Sequence, residues 1–584
     1  MVDLRANPFN LDDNGVKWVE DTLASMTLQE KIGQLFCPVG FMADEDSLKA
    51  MVQGIGIGGI MYRPGPAKVV QDSHRYIQSM AKIPLLLAAN LEGGGNGVAM
   101  EGTSFGKPMQ VAATDDDECG YRMGKVSCAE GAATGLNWSF APIIDIDANF
   151  RNPITNLRTF GDCPDRIIRM ASAYLRAADE EGLAVSIKHF PGDGMDERDQ
   201  HLVTSVNSMS AEDWDQNYGR IYQALINQGA KTVMVGHISQ PACAKRINPS
   251  LTDEQANTPA TLSPELIQGL LRKQLGFNGM IVTDATTMLG FTTAMPREKA
   301  VPISIAIGCD MFLFNKSLEE DYEYMMKGYQ EGILTDERLN EAITRILALK
   351  ASLNLHAKQE NGTLVPGEEA LSIVGCEKHK AWAGESADKA ITLVKDTQNL
   401  LPLSPNKTKR VCLNVLQPDL DVNNPLCVKI KESLEKEGFE VTLRDRNMKV
   451  DFAAMMSGNP DPGTLKMMQE VFAKVDSFKN SYDLVLYVAN YETASNNTVI
   501  RLAWNVIVGM GDDAPWFTAE VPTMFVSLAN PYHLLDVSMI KTFINAYSAN
   551  DATVEALIEK LMGRSEFVGK SPVDPFCGRL DTQF

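Results

Sequence analysis

The sequence predicts an α/β protein: an N-terminal (β/α)8 barrel of the TIM type followed by a smaller α/β/α sandwich. Three observations predict it. Between residues 30 and 315, eight short apolar runs alternate with longer segments of helical periodicity. The runs are apolar nearly throughout, as parallel strands covered on both faces are, and do not alternate like half-exposed strands. Polar and ionisable residues collect at their carboxyl ends, the face on which barrels build active sites.

In order, the strand candidates are IGQLFCPV (32–39), IGGIMY (57–62), IPLLLAAN (83–90), WSFAPIIDI (138–146), AVSIKHF (184–190), TVMVGHI (232–238), GMIVTDA (279–285) and CDMFLFN (309–315). Helices lie between them; in SPELIQGLLRKQL (263–275), Ser263 is placed to cap, Pro264 suits the first turn and Glu265 favours the dipole. An open doubly wound sheet is the alternative, but eight repeats are long for it. A helix over 335–353 closes the barrel domain, set at residues 1–355. A polar stretch with Gly and Pro follows and opens a linker, 356–384. Residues 385–584 form the second domain, with strands expected at 410–416, 439–445, 483–490, 522–530 and 541–548, and helices at 428–438 and 552–562.

Composition narrows the function. With 54 basic and 75 acidic side chains the net charge is −21, which argues against a phosphate-backbone binder; no nucleic-acid partner is expected. At 44% hydrophobic and 22% charged residues the chain is an ordinary globular protein. No run of about 18 apolar residues spans a bilayer, so no membrane partner is expected. The first residues show neither a basic n-region nor an apolar h-region. Ten cysteines lie scattered without a C-x-x-C pair, as small buried hydrophobes of a reducing, cytoplasmic compartment. Seven dispersed histidines offer no ligand cluster, and no metal or other cofactor is expected.

Two segments carry chemistry. SIKHFPGDGMDERDQHLVT (186–204) leaves a strand with Lys188 and His189, turns, and presents Asp199-Gln200-His201. In such a D-x-H array the carboxylate can hold one imidazole nitrogen and raise the basicity of the other. Alone, the pattern also fits a solvated loop. In GFNGMIVTDATTM (276–288), Asp284 ends an apolar strand at the chemical face, where it could equally cap the next helix.

Together with NWSFAPIIDIDANFRNPITNLRTFG (137–161), KHFPG (188–192), VMVGHISQPA (233–242), AITLVKDTQNLLPL (390–403) and NPYHLLDVSMIKTFINAYS (530–548), these segments resemble glycoside hydrolase family 3, in its bacterial β-N-acetylglucosaminidase (β-N-acetylhexosaminidase) branch. The resemblance implies a retaining exo-glycosidase that releases a terminal β-linked N-acetylhexosamine, above all N-acetylglucosamine, from small carbohydrate substrates. It implies Asp284 as nucleophile and His201, held by Asp199, as acid/base. Arg158, Lys188 and His189 match positions that bind the first sugar, and His237 lies on a loop near the nucleophile. The chain departs from the pattern at Asn90, where the family has an aspartate, and at Gly95, where it has an arginine. It departs again at Asp193, where a second histidine is usual. Glu92 is placed to substitute for the lost carboxylate, and with Asn90 it belongs to the expected sugar site. Alternatives are a β-glucosidase type, with Glu492 as acid/base, and a non-catalytic sugar-binding relative. An imidazole base also admits inorganic phosphate as acceptor, with Lys188, His189 and Arg158 in the region to help.

Overall fold

All eight runs of the first domain form strands, each shorter than or equal to the apolar stretch that encodes it. The structure, a computed structural model, describes residues 2–40, 44–446, 453, 456–458, 462–465, 474–504, 506, 507, 510, 511 and 513–584. The strands are β1 (Phe36–Cys37), β2 (Gly59–Met61), β3 (Leu86–Ala89), β4 (Trp138–Ser139), β5 (Ala184–Phe190), β6 (Thr232–Val235), β7 (Met280–Thr283) and β8 (Phe312–Leu313). Strands β2 to β7 form one parallel sheet in chain order, and β8 pairs in parallel with β1. Single bridges, Val39 to Met61 and Val282 to Met311, join β1 to β2 and β7 to β8. The sheet thus closes into an eight-stranded barrel. Its strands are buried along their whole length, which accounts for their unbroken apolar character.

The helix expected over 263–275 is present as Glu265–Gln274, but it winds as a π-helix rather than an α-helix. Ser263 Oγ still accepts from Leu266 N at 3.3 Å. The closing helix, Asp336–Ser352, is capped by Thr335, whose side chain accepts from Arg338 N. Below β8, the fully buried Asp310 accepts from Arg272 Nη2 at 2.6 Å and Arg338 Nη2 at 2.7 Å. It also accepts from Ile281 N at 2.8 Å, and Arg345 Nη1 lies 3.4 Å away. One carboxylate thereby ties the last strand to β7, to helix 265–274 and to the closing helix, at the end of the barrel opposite the chemistry.

The chain divides into two compact units: residues 1–112, 116–383 and 495–498, and residues 113–115, 384–494 and 499–584. The stretch 356–384 is not bare coil; it runs through helix Leu355–Glu360 and enters helix Glu377–Ala390. The second unit holds a six-stranded sheet: β9 (Thr392–Asp396), β10 (Arg410–Leu416), β11 (Glu440–Leu443), β12 (Leu484–Ala489), β13 (Thr523–Ser527) and β14 (Thr542–Asn545). The order is β9-β14-β13-β12-β10-β11, parallel except for β9. Strand β9 is additional to the five expected. It is an edge strand, paired on one side only, and its mixed burial hides the apolar signal. Ile430, Leu434, Val554 and Leu557 cover one face; Phe517, Leu534 and Ile540 pack on the other. Among the described residues no helix is long and apolar enough to cross a membrane.

Candidate active site

Asp284 follows β7 directly. Its N–H donates to Val235 O at 2.7 Å, which fixes the strand end, and its own Oδ1 accepts from Ala285 N at 2.7 Å. The residue is 9% exposed, enough for one oxygen to meet a ligand. Burial pushes its carboxyl up, but the charges of His189, His237 and His201, with the Ala285 N–H, outweigh burial and hold it below the ordinary range. The result is a carboxylate that stays ionised in a largely dry site.

The three histidines are held differently. His189 Nδ1 lies 2.7 Å from Asp145 Oδ2; a carboxylate only accepts, so Nδ1 carries the proton and Nε2 faces Asp284 Oδ2 at 4.0 Å. Asp145 Oδ1 accepts from the N–H groups of His189 and Asp193, so one side chain organises the whole KHFPGD turn. His237 Nε2 donates to Ala285 O at 3.0 Å, and its Nδ1 pairs with Thr261 Oγ1 at 2.9 Å. Burial lowers its pKa, and its two hydrogen bonds brace the backbone beside Asp284. His201 is the accessible one, with a side chain 26% exposed. Its Nδ1 and its N–H both reach Asp199 Oδ1, at 2.7 and 2.8 Å, which leaves Nε2 outside this pair. Asp199 is buried, and its Oδ2 accepts from Asn496 N at 2.6 Å, a residue of segment 495–498 of the same unit.

A second corner is charged. Glu92 takes a two-point bond from Arg158, Nε to Oε2 at 3.0 Å and Nη2 to Oε1 at 2.9 Å, and a third from Lys188 Nζ at 2.9 Å. Burial alone would raise the Glu92 carboxyl; Arg158 and Lys188 outweigh it and hold it well below the usual carboxylate range. Asn90 Oδ1 stands 3.5 Å from Lys188 Nζ. Arg158 is delivered by the loop 152–158, which Asp147 gathers by accepting from Thr155 Oγ1 at 2.6 Å and Asn156 N at 3.2 Å.

The structure therefore brings Asp284, His189, His237, Lys188, Arg158, Glu92, Asn90, Asp199 and His201 to the carboxyl face of one barrel. Glu492 lies on an exposed loop after β12, in the second unit. Three residues with clear roles in this geometry escape sequence reasoning. Asp145 was visible only as a polar strand end; Thr261 and Asn496 lie 24 and 297 residues from their partners, and nothing in their local sequence signals the contact. Among the described residues, no group of three or more His, Cys, Asp or Glu is arranged to hold a metal ion.

A parallel barrel with an ionised carboxylate after its seventh strand, a carboxylate-held histidine and a polar corner of fixed charges has the layout of a barrel enzyme, its polar groups gathered at the carboxyl face. Comparison makes this specific. The chain belongs to glycosyl hydrolase family 3: residues 27–349 match that family's N-terminal domain. It is 43% identical over 590 residues to a Cellulomonas fimi protein named beta-N-acetylglucosaminidase/beta-glucosidase, with 100% of both chains covered. The solved structure of a beta-glucoside phosphorylase, BglX, matches with a TM-score of 0.90 and 46% identity over 99% of each chain. A family 3 β-N-acetylglucosaminidase from Paenibacillus sp. shares the fold, with a TM-score of 0.75 at 23% identity over 94% of this chain and 99% of its own. The protein is a family 3 glycosidase acting on β-linked sugars.

Proposed function

We propose that this enzyme is a retaining exo-glycosidase of small β-N-acetylglucosaminides and β-glucosides that delivers the glycosyl group to phosphate as well as to water. The observation that carries the reading is the base: an imidazole, His201, held at 2.7 Å by Asp199, where glycosidases ordinarily use a second carboxylate. In the first step an Asp284 oxygen attacks the anomeric carbon, the glycosidic C–O bond breaks, and His201 gives its proton to the departing oxygen. In the second step a phosphate oxygen attacks that carbon, the ester to Asp284 breaks, and the acceptor's proton passes to the now neutral His201. Two inversions retain configuration.

A carboxylate base would face the incoming phosphate as an anion. At 4 Å and an effective dielectric of 20, that repulsion is about 4 kcal/mol, or roughly three powers of ten in rate. A neutral imidazole removes it. Lys188 and Arg158 contribute less to phosphate than their charges suggest, because Glu92 engages both. They serve the terminal sugar instead, with His189, Asn90 and Glu92, while His237 supports the nucleophile's backbone. The full-length likeness to BglX supports phosphate as acceptor, and the double name of the C. fimi relative supports both sugars. N-acetylglucosamine and glucose share the equatorial hydroxyls that such a corner grips and differ at C2. Ten cysteines scattered without a C-x-x-C pair support a reducing, cytoplasmic setting.

Aryl β-glycosides of both sugars, with and without millimolar phosphate, test the reading. Phosphate should raise turnover and yield a sugar 1-phosphate of retained configuration by phosphorus NMR. Turnover without sugar phosphate, and without a phosphate effect on rate, would leave a hydrolase only.

A further inference from the structure

Between the two residues of the dyad stands Gln200, which faces away from solvent and is 1% exposed. Its side chain bridges two elements. Oε1 accepts from the backbone N–H of His237 at 2.8 Å, just beyond β6. A backbone N–H can only donate, so this contact fixes which end of the amide is oxygen, and Nε2 points to Asp193 Oδ2 at 3.4 Å. The loop's backbone is held as well: the Gln200 and His201 carbonyls accept from Gly290 N and Leu289 N at 3.1 and 3.0 Å. Both neighbours are small where bulk would interfere. A Cβ on Gly236 would stand 3.0 Å from Gln200 Oε1, and one on Gly290 would stand 2.8 Å from Gln200 O.

We propose that Gln200 is a positioning residue that pins the Asp199–His201 loop to the barrel, with Asp193 as its anchor. The proposal rests on His201 being the acid/base. Asp193 suits the anchor's part, and a histidine there would not offer the same acceptor. Its Oδ1 is committed to Asn152 Nδ2 at 3.0 Å and Gly194 N at 2.7 Å, which leaves Oδ2 for Gln200. Burial and the charge of Asp145 push the Asp193 carboxyl up to about 6. A proton there goes to Oδ2, since Oδ1 already accepts two donors, and Oδ2 then turns from acceptor to donor and releases Gln200 Nε2. The titratable groups around Asp193 are Asp145 on the segment after β4, His189 on β5 and Tyr218, whose hydroxyl bonds the Asp193 carbonyl. Asp199, His201 and His237 lie on the Gln200 side.

The leaving group separates positioning from folding. Departure of dinitrophenolate needs no proton, whereas departure of phenolate does. In Gln200→Ala, kcat/KM for the phenyl β-glycoside should fall about tenfold or more, and that for the dinitrophenyl β-glycoside should stay within about twofold. Gln200→Glu should keep activity only at acidic pH, where the two facing carboxyls share one proton. The double variant Gln200→Glu/Asp193→Asn restores a donor facing an acceptor with the polarity reversed, and should bring the phenyl rate back at neutral pH. Equal losses on both substrates, or no rescue by the double variant, would overturn the pinning role. His201→Ala is the control: if it shows no dependence on the leaving group, the acid/base reading fails rather than the pinning.

Discussion

Where Glu92 meets Arg158 and Lys188, three charges are locked to one another within 3.0 Å, whereas the pair formed by Asp199 and His201 engages only one imidazole nitrogen and leaves Nε2 outside it. The first region grows from strand ends and a loop cinched by Asp147. The second is a loop that reaches the barrel through Gln200 and takes an N–H from a residue 297 positions away. On the proposed function, the difference teaches how one barrel face does two jobs. Recognition of a sugar calls for fixed, mutually saturated charges, which lose little on binding. Proton transfer calls for a group whose partner fixes its orientation without fixing its charge.

The largest effect should come from the residue both regions serve. Asp284→Ala should lower kcat by about four powers of ten or more on any aryl glycoside, as loss of a nucleophile does, with Tm unchanged. Retention of more than a few per cent of turnover would assign the nucleophile elsewhere. Next is the charged corner. Glu92→Gln removes the carboxylate bonded to both Arg158 and Lys188; since the side chains of Glu92 and Arg158 are partly exposed, it should cost about 2 kcal/mol of stability. KM should rise roughly tenfold while the leaving-group dependence stays as in wild type. Calorimetry and aryl-glycoside kinetics read both, and a changed leaving-group dependence would erase the division between the two regions.

The effect with least bearing on turnover is on stability against pH. Asp193 has an ordinary value of 3.8 and is raised to about 6 in the folded state. The folded protein therefore holds this proton more tightly than the unfolded chain. Stability tied to Asp193 is complete below 3.8 and is lost as pH climbs through about 6, a span of roughly 3 kcal/mol. Denaturant unfolding at a series of pH values should show this slope as the difference between wild type and Asp193→Asn. Parallel curves would mean that Asp193 is an ordinary carboxylate.

Much of this was legible in the chain because a parallel barrel writes itself locally. Each strand is buried on both faces, so TVMV and MIVT read as strands without their neighbours, and the residues at or just past the carboxyl end of each run fall on the chemical face. Asp284, Lys188 and His189 follow from that rule, and Asp199 and His201 from their spacing. What stayed hidden depends on contacts between distant residues. Nothing in TPATLS marks Thr261 as the partner of His237, and Asn496 is a loop asparagine until its backbone meets Asp199. Strand β9 was hidden for a related reason, since an edge strand exposes part of itself and loses the unbroken apolar pattern. The mutual saturation of Glu92, Arg158 and Lys188 could not be read either, because sequence gives charges but not which of them are spent on each other.

The cluster at the far end of the barrel bears on how such an enzyme changes over generations. Asp310, with Arg272, Arg338 and Arg345, fastens the last strand and the closing helix at the end away from the sugar. Substitutions at positions such as 90, 95 and 193 therefore alter the chemistry-bearing face without loosening the seam that keeps the cylinder shut. A lineage can exchange one sugar, or one acceptor, for another while inheriting its closure intact.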